Sequence, residues 1–364
     1  MIRILHMIGA LERGGSQALV MELYRNIDRE KIQFDFVLDH PQRRDLAPEI
    51  EALGGRIYDM PGIQAGPAAV RRAWRGFLEE HREYSILHSH VRSYASFYLP
   101  VAKSLGLSTI IHSHSTSNGK GLSAAAKAAL QFPLRYQADV LMSCSREAGI
   151  WLFGKKATES SRFFLLNNGI DLKRFDQSQE SRQAVRHSLG IGGELLVGHV
   201  GRMHPAKNHA FLLAAFKELL SVRQDARLML VGDGELRRQV EQQAAELGIA
   251  ERCIFTGGRS DVPELMSAMD LLAFPSLWEG LPVTVIEAQA AGLPCLISDR
   301  INPAVDISPL VERMPIEDPV KWAEAMARPR QRMDVTEDIR RAGYDINESV
   351  QALSSLYESL WKER

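Results

Sequence analysis

The sequence predicts an α/β protein made of two doubly wound, Rossmann-like domains, each built on a parallel sheet. Short, almost wholly apolar runs of strand-forming residues alternate with longer helical stretches along the 364 residues. Such runs are typical of parallel strands that helices bury on both faces. The chain is also longer than one hydrophobic core usually extends, so two domains are expected.

Eleven strands are predicted, in two series that a polar segment separates. The first series is Ile2–Ile8, Phe34–Leu38, Ile86–His88, Thr109–His112, Val140–Cys144 and Phe163–Leu166. The second series is Leu195–Val200, Arg227–Val231, Cys253–Thr256, Leu271–Phe274 and Pro294–Ile297. Ligands of doubly wound folds bind at the carboxyl ends of the strands, so we expect two domains that face a common cleft.

The domain boundaries follow from this order of elements. Residues 1–171 form the predicted N-terminal domain, 172–193 a polar linker that ends in glycine, and 194–343 the C-terminal domain. The last segment, 344–364, contains a predicted helix over Ile346–Trp361, where apolar side chains recur at helical spacing.

The net charge of −1 hides an asymmetry between the two halves of the chain. Residues 1–175 carry 23 Lys and Arg against 17 Asp and Glu, so the second half is acidic. The basic excess fits an anionic membrane surface or a diphosphate-bearing acceptor, and ordinary solvated helix faces fit it nearly as well. The residues that carry it are Arg71, Arg72, Arg75, Arg82, Lys103, Lys120, Lys127 and Arg135.

The compartment is predicted from cysteines and hydropathy. Cys144, Cys253 and Cys295 lie far apart in apolar runs, without the spacing of a zinc site, and are typical of buried thiols in a reducing compartment. No apolar run approaches the ~18 residues of a membrane span, and Glu12 interrupts the N-terminus too early for a signal peptide. We expect a cytoplasmic protein whose contact with a membrane, if any, is peripheral.

The most informative segment is 274–294, FPSLWEGLPVTVIEAQAAGLP, which holds Glu279 and Glu287 with seven residues between them. An apolar strand leads into it, Pro282 stands where a first helical turn begins, and Gly292 ends the helix. Unpaired N–H groups at a helix start suit a phosphate, and carboxylates accept hydrogen bonds from sugar hydroxyls. A sugar nucleotide requires both, although the spacing alone fits an ordinary strand–loop–helix unit equally well.

A second strand-to-helix loop, Gly201–Asn208 (GRMHPAKN), carries two cations. Arg202 offers a rigid fork of donors for phosphate oxygens, and Lys207 offers a mobile point charge. Cations oppose the helix dipole at a helix start, so a bound anion explains them better than solvation does. We therefore expect them to neutralise the charge that grows on a departing diphosphate.

Three glycine loops are weaker signals. Gly14 and Gly15 precede a predicted helix over Ala18–Tyr24, and Gly232 and Gly257 each follow a predicted strand. Glycine lets backbone approach a ligand closely, and it is equally common in tight turns. None of these loops matches G-x-G-x-x-G, and the chain has no Walker A sequence.

Two histidine pairs stand at predicted strand ends, His88 with His90 and His112 with His114. Paired histidines suggest metal ligation or proton transfer. No carboxylate triad accompanies them, and the absence of Asp-x-Asp from the chain argues against a metal-chelated sugar nucleotide. We expect one of these histidines to contact a sugar or a phosphate, and we predict no bound metal.

The order of these blocks resembles the family four retaining glycosyltransferases of the GT-B fold, close to the bacterial exopolysaccharide-biosynthesis branch. GGSQALVMEL resembles the first loop and helix of that family, and GRMHPAKN its G-R-x-x-x-x-K-N diphosphate loop. VGDGELR and FTGGRSDVPELMSAMDLLAFPS resemble the middle blocks, and EGLPVTVIEAQAAGLP the E-x7-E block. The resemblance covers nearly the full length.

The resemblance implies roles for the matching residues. Arg202 and Lys207 would bind the donor diphosphate, and Glu279 would contact hydroxyls of the transferred sugar. His114 would lie beside the sugar and phosphate, with His112 as the alternative because the doubled His-Ser-His leaves the register open. The remaining donor contacts would come from Gly14, Gly15, Gly232, Gly257, Gly280, Leu281 and, at the ribose hydroxyls, Glu287.

The resemblance also implies an activity: a retaining, metal-independent hexosyltransferase that needs no cofactor and takes a nucleotide diphospho-sugar, with UDP-sugar the first expectation. The N-terminal domain would bind the acceptor, a saccharide that polyprenyl diphosphate carries in exopolysaccharide or other surface-glycan biosynthesis. The last helix would pack back on that domain, and no nucleic acid would take part. The alternative is a regulatory subunit that binds a nucleotide sugar without transferring it.

Overall fold

The computed structural model describes residues 1–12, 15–40, 42, 44–114, 122–176 and 178–362. They form two compact units. The first comprises Met1–Ile170 with Gly343–Arg364, and the second comprises Asp171–Ala342.

The first unit contains a seven-stranded parallel sheet in the order β3-β2-β1-β4-β5-β6-β7. All six predicted strands of this half are present. The seventh, β3, was not predicted because its side chains are half-buried or exposed and form no apolar run. The strands are β1 (Ile2–Gly9), β2 (Ile32–Leu38), β3 (Ile57–Asp59), β4 (Ile86–Ser89), β5 (Ser108–Ser113), β6 (Val140–Ser143) and β7 (Phe163–Leu165).

Helices cover both faces of this sheet. Alternate residues of β1 point to opposite faces, as strand geometry requires. Ile4 and Ile8 join one apolar cluster, whereas Leu5 and Met7 join the other. The helices are α1 (Gly15–Asn26), α2 (Ala47–Ala52), α3 (Pro67–Glu80), α4 (Ala95–Ser104), α5 (Leu122–Gln131), α6 (Leu134–Gln137), α7 (Arg146–Phe153) and α8 (Lys155–Thr158).

The second unit contains a six-stranded parallel sheet in the order β10-β9-β8-β11-β12-β13. The five predicted strands are present. The edge strand β13 was not predicted because Glu312 and Arg313 interrupt it, and both of these side chains form ion pairs. The strands are β8 (Leu196–Val200), β9 (Arg227–Val231), β10 (Cys253–Gly257), β11 (Leu271–Phe274), β12 (Cys295–Ser298) and β13 (Val311–Met314).

The segment predicted as a linker carries the first helix of the second unit, α9 (Gln179–Ser188). Arg182 and Arg186 project from it onto Asp270, with nitrogen–oxygen distances of 2.5 and 3.1 Å. The charged side chains that suggested a linker therefore hold this helix against the rest of the second unit. The other helices of this unit are α10 (His209–Val222), α11 (Arg237–Glu246), α12 (Val262–Ala268), α13 (Val283–Ala290), α14 (Pro319–Ala327) and α15 (Thr336–Arg341).

The last helix, α16 (Ile346–Lys362), belongs to the first unit, as predicted. It contacts α1 and β4, and Leu353 and Tyr357 are fully buried in the apolar cluster on that face. The predicted fold class, two parallel Rossmann-like sheets with a returning C-terminal helix, is confirmed. Among the described residues, no helix combines the length and the apolar character that crossing a bilayer requires.

Candidate functional site

The main candidate site lies at the carboxyl ends of β8, β9 and β11, where backbone hydrogen bonds join three loops. The Met203 N–H donates to the carbonyl of Asp233 at 2.9 Å, which ties the loop after β8 to the loop after β9. The Leu277 N–H donates to the carbonyl of Ala206 at 2.8 Å, which ties it to the loop after β11. The loops that carry the predicted donor residues are thus held together as one surface of the second unit.

Gly232 permits the closest of these approaches. Its φ is +136°, a conformation that favours glycine, and a Cβ here would lie 2.1 Å from the carbonyl oxygen of Gly201. Its N–H donates to the carbonyl of Gly257 at 2.9 Å. The two predicted loop glycines therefore contact each other, and Gly232 also lies directly against the cationic loop.

Lys207 and Glu279 meet on this surface. The Lys207 Nζ lies 2.7 Å from Glu279 Oε1, and each side chain is 15% exposed. The ammonium also lies 4.6 Å from the centroid of the Phe274 ring. A short 3-10 turn, Pro205–Lys207, and Asn208 in the left-handed conformation (φ 56°) lead from this lysine into α10.

Arg202 stands two residues after β8 and is exposed. Within the described ranges, its guanidinium makes no hydrogen bond or ion pair. A planar fork of five donors is therefore presented at the strand ends, where a phosphate could engage it in bidentate fashion.

The remaining predicted donor residues lie along the loop and helix after β11. Gly280 is exposed and Leu281 half-buried. Pro282 is the N-cap of α13 and not its first helical residue, so the helix starts one residue later than predicted. Glu287 is half-buried in the second turn of α13, as the sequence indicated.

A hollow of about 460 Å³ lies at the opposite, amino-terminal edge of the same sheet. Arg182, Arg186 and Asp270 line it, and both guanidinium groups are already paired with the Asp270 carboxylate. Since no predicted donor residue reaches it, we place the candidate site at the carboxyl ends of the strands.

In the first unit, the predicted site residues differ in how exposed they are. Gly14 lies outside the described residues, and Gly15 begins α1 with open space where a Cβ would stand. His112 is fully buried within β5, whereas His114 follows the end of that strand and is partly exposed. Of the two histidines that the sequence left open, His114 is therefore the more exposed.

The structure joins both histidine pairs to a fifth histidine, His6, which sequence reasoning missed. His6 Nδ1 lies 3.0 Å from His90 Nε2, and His90 Nδ1 lies 2.8 Å from His114 Nε2. His88 Nε2 lies 3.2 Å from His112 Nδ1. His6 in β1 lies directly opposite His88 in the neighbouring strand β4. A histidine near the end of a second predicted strand was therefore the sequence feature that could have identified it.

Burial sets the protonation of this histidine cluster, which consists of His6, His88, His90, His112 and His114. Burial lowers the pKa of His6 and of His114 to about 3, and the pKa values of the other three lie well below the ordinary value. All five rings are therefore neutral near pH 7. In two groups, His6–His88–His90 and His90–His112–His114, one nitrogen from each ring lies within 4.8 Å of the other two.

Two family models match the chain. The model described as "Glycosyl transferases group 1" matches residues 181–327, and the model described as "Glycosyltransferase Family 4" matches residues 13–174. EpsF of Bacillus subtilis, whose name describes it as a glycosyltransferase, is 36% identical over 98% of this chain and 96% of its own.

Two further proteins illustrate the breadth of the similarity. An Escherichia coli enzyme named as the galactosyltransferase that uses UDP-Gal and α-D-GlcNAc-diphosphoundecaprenol is 32% identical over 37% of this chain and 36% of its own. The crystal structure of HepE from Anabaena in complex with UDP-glucose matches with a TM-score of 0.72 and 17% identity, over 100% of this chain and 98% of that one. At that identity the structural match shows the fold alone.

Proposed function

We propose that this chain, which belongs to the GT-B glycosyltransferases, is a retaining hexosyltransferase that takes its sugar from a nucleotide diphospho-sugar. One observation carries the proposal: Arg202 and the Lys207–Glu279 pair stand together on loops at the carboxyl ends of parallel strands. Two cations suit a diphosphate, and a carboxylate beside them suits the hydroxyls of the sugar that it bears.

A UDP-sugar is the proposed donor. HepE has been crystallised with UDP-glucose, and the Escherichia coli relative is named for UDP-Gal, so two similar proteins are associated with uridine donors. In this chain, Glu287 would accept hydrogen bonds from the ribose, and backbone at Gly280 and Leu281 would contact the distal phosphate. We propose no metal at the diphosphate, because Arg202 and Lys207 supply its counter-charge.

The reaction would proceed on one face of the sugar. The acceptor hydroxyl oxygen forms a bond to the anomeric carbon as the bond from that carbon to the diphosphate oxygen breaks. The electron pair of that bond stays with the diphosphate, and the hydroxyl proton moves to it. The chain's own part is to orient the donor and to stabilise the departing charge through Arg202 and Lys207. His114 is proposed as a contact to the sugar and phosphate.

The proposed acceptor is a saccharide on a polyprenyl diphosphate, in exopolysaccharide or other surface-glycan biosynthesis. The Escherichia coli relative's name contains a diphosphoundecaprenol acceptor, and EpsF is similar over nearly the whole chain.

A peripheral position on the cytoplasmic membrane face would suit such an acceptor. Phe132 and Tyr136 of the first unit are 55% and 68% exposed, and the Arg135 guanidinium stacks on the Phe132 ring at 4.6 Å. Exposed aromatic and basic side chains together are typical of membrane-interface contacts.

The test is transfer by the purified chain with UDP- and GDP-sugars and a polyprenyl-diphosphate-linked saccharide, in buffer that contains EDTA. We expect release of nucleoside diphosphate, and a product whose new linkage has the anomeric configuration of the donor by NMR. Inversion would refute the retaining mechanism, and complete dependence on an added divalent cation would refute metal independence. Tight donor binding without release, with every acceptor, would favour the regulatory subunit.

A further inference from the structure

The geometry of the histidine cluster points to a metal site, contrary to the sequence-based prediction of no bound metal: we infer that His90, His112 and His114 bind a d-block cation of the Zn²⁺ class. One ring nitrogen of each lies within 4.8 Å of the other two. Neutral imidazole is a ligand that such cations favour, and three histidines with an open fourth position form a common Zn²⁺ set.

The hydrogen bonds indicate which nitrogens would bind the metal. His90 Nε2 faces His6 at 3.0 Å, and His112 Nδ1 faces His88 at 3.2 Å. This leaves His90 Nδ1 and His112 Nε2, and the latter is buried without a hydrogen-bond partner in the described part of the chain. His114 would bind through Nε2, which already faces His90 Nδ1.

The neighbouring histidines then form the outer shell that metal ligands usually have. A ligating histidine generally holds its other ring nitrogen in a hydrogen bond, which fixes the tautomer and the ring orientation. His6 supplies that contact to His90, and His88 supplies it to His112. His88 is fixed in turn by the Tyr357 hydroxyl, 2.6 Å from its Nδ1.

For one pair of the proposed ligands, the required movement is small. His90 Nδ1 and His114 Nε2 are 2.8 Å apart. A tetrahedral cation with bonds of about 2.0–2.1 Å separates two ligand nitrogens by roughly 3.3 Å, so the rings need to part by about half an ångström. His114 stands just beyond the end of β5, where a side chain can make this adjustment.

In a second triad, His6–His88–His90, one ring nitrogen of each residue also lies within 4.8 Å of the other two, but a metal ion would have to pass buried side chains to reach it. His6 and His88 are each 1% exposed, and the Phe34 ring lies 4.2 Å from that of His6. His114 is partly exposed, so the first triad is the one in which a ligand residue has contact with solvent.

The test is titration of the EDTA-stripped, dialysed full-length chain with Co²⁺, whose visible ligand-field absorption reports coordination geometry. We expect one Co²⁺ per chain with the intense absorption of a tetrahedral site, displaced by Zn²⁺. His114→Gln should weaken binding at least ~100-fold, since loss of even an outer-shell partner costs 10–100-fold. His81→Gln is the matched control, because His81 belongs to the same unit and contacts Glu83 at the surface.

Three results would overturn the assignment. They are no stoichiometric Co²⁺ uptake by the wild-type chain, a weak octahedral spectrum typical of surface binding, and undiminished affinity in His114→Gln. The last result would move the metal to the buried triad. Far-UV circular dichroism checks that the variants fold, and His90→Gln, which removes a ligand common to both triads, serves as a second variant.

One consequence rests on the proposed function. A cation on His114 Nε2 and a donor contact by the same nitrogen exclude each other, so Zn²⁺ would inhibit transfer. The Co²⁺ titration uses no sugar nucleotide, so its outcome is independent of whether the transfer reaction occurs.

Discussion

Lys207 and Glu279, 72 residues apart in the chain, form an ion pair of 2.7 Å at the carboxyl ends of β8 and β11. Each side chain is 15% exposed, and the Phe274 ring lies beside the ammonium. Because the pair is partly shielded from water, the attraction between the two charges is stronger, and leaving either charge without its partner would cost free energy. The ammonium and the carboxylate of the candidate donor site are therefore positioned before any ligand binds.

Replacing either partner should abolish most of the activity. We expect Lys207→Ala and Glu279→Ala each to lower turnover at least ~100-fold, because each removes a charge that acts on the departing diphosphate or the transferred sugar. Far-UV circular dichroism should stay unchanged. Lys217→Ala, an exposed lysine on α10, is the control and should retain wild-type turnover. Near-normal turnover in both site variants would defeat the assignments.

Gly232→Ala should displace the cationic loop. The new Cβ would stand 2.1 Å from the Gly201 carbonyl oxygen, and φ of +136° disfavours alanine. We expect a loss of about 1–3 kcal/mol in the free energy of unfolding by urea, together with weaker nucleotide binding. Gly258→Ala is the matched control, since a Cβ there meets nothing within 4 Å. Equal stability of the two variants would contradict the close approach of these loops.

The second unit should lose stability in mild acid through His209. Burial, then the charge of Lys207, lowers the pKa of His209 to about 4. The unfolded chain, with a pKa of about 6.5, binds this proton more readily. The stability that the neutral ring contributes is therefore complete above about pH 6.5 and is lost as the pH falls toward 4. Nearby His199, whose pKa is also lowered by burial first, acts in the same direction.

Urea unfolding at several pH values checks this. The stability difference between the wild type and His209→Asn should shift by up to about 2 kcal/mol in favour of the variant between pH 7 and pH 5. His187→Asn, at an exposed histidine on α9, is the matched control. A constant difference for His209→Asn would mean that the ring titrates normally in the folded chain.

Tyr357→Phe should weaken the anchorage of α16 in the first unit. The substitution removes the hydroxyl that lies 2.6 Å from His88 Nδ1 and leaves a buried ring nitrogen without this partner. We expect a loss of about 1–3 kcal/mol in unfolding free energy. Tyr136→Phe, at a tyrosine that is 68% exposed, should change stability little. Similar results for the two variants would show that the hydroxyl contributes nothing.

Sequence alone gave most of the architecture, because buried parallel strands are apolar throughout. The runs at Arg227–Val231 and Leu271–Phe274 match the observed strands residue for residue. The edge strands β3 and β13 were not predicted, because an edge strand is less buried than a central one and need not be apolar throughout. In β13 (Val311–Met314), two of the four side chains are charged. The charged residues Arg182 and Arg186 contributed to the prediction of a linker. In the structure they lie on a helix and form ion pairs with Asp270.

The sequence named candidate residues for the site but did not predict how they contact one another. The block order pointed to Arg202, Lys207 and Glu279, yet nothing local predicts that Lys207 contacts Glu279, since strand order decides which loops become neighbours. Strand order also brings His6 to the histidine pairs, because β1 lies beside β4 in the sheet.

Calorimetric titration of UDP and GDP into the wild type and into the double variant Arg202→Ala, Lys207→Ala tests the central claim most directly. If these two cations hold the donor diphosphate, the nucleotide that binds the wild type should bind the double variant at least ~100-fold more weakly, since each hydrogen bond to a charged group is worth about 1.5–3 kcal/mol. Equal affinity in the two proteins would contradict the assignment of the diphosphate to this loop.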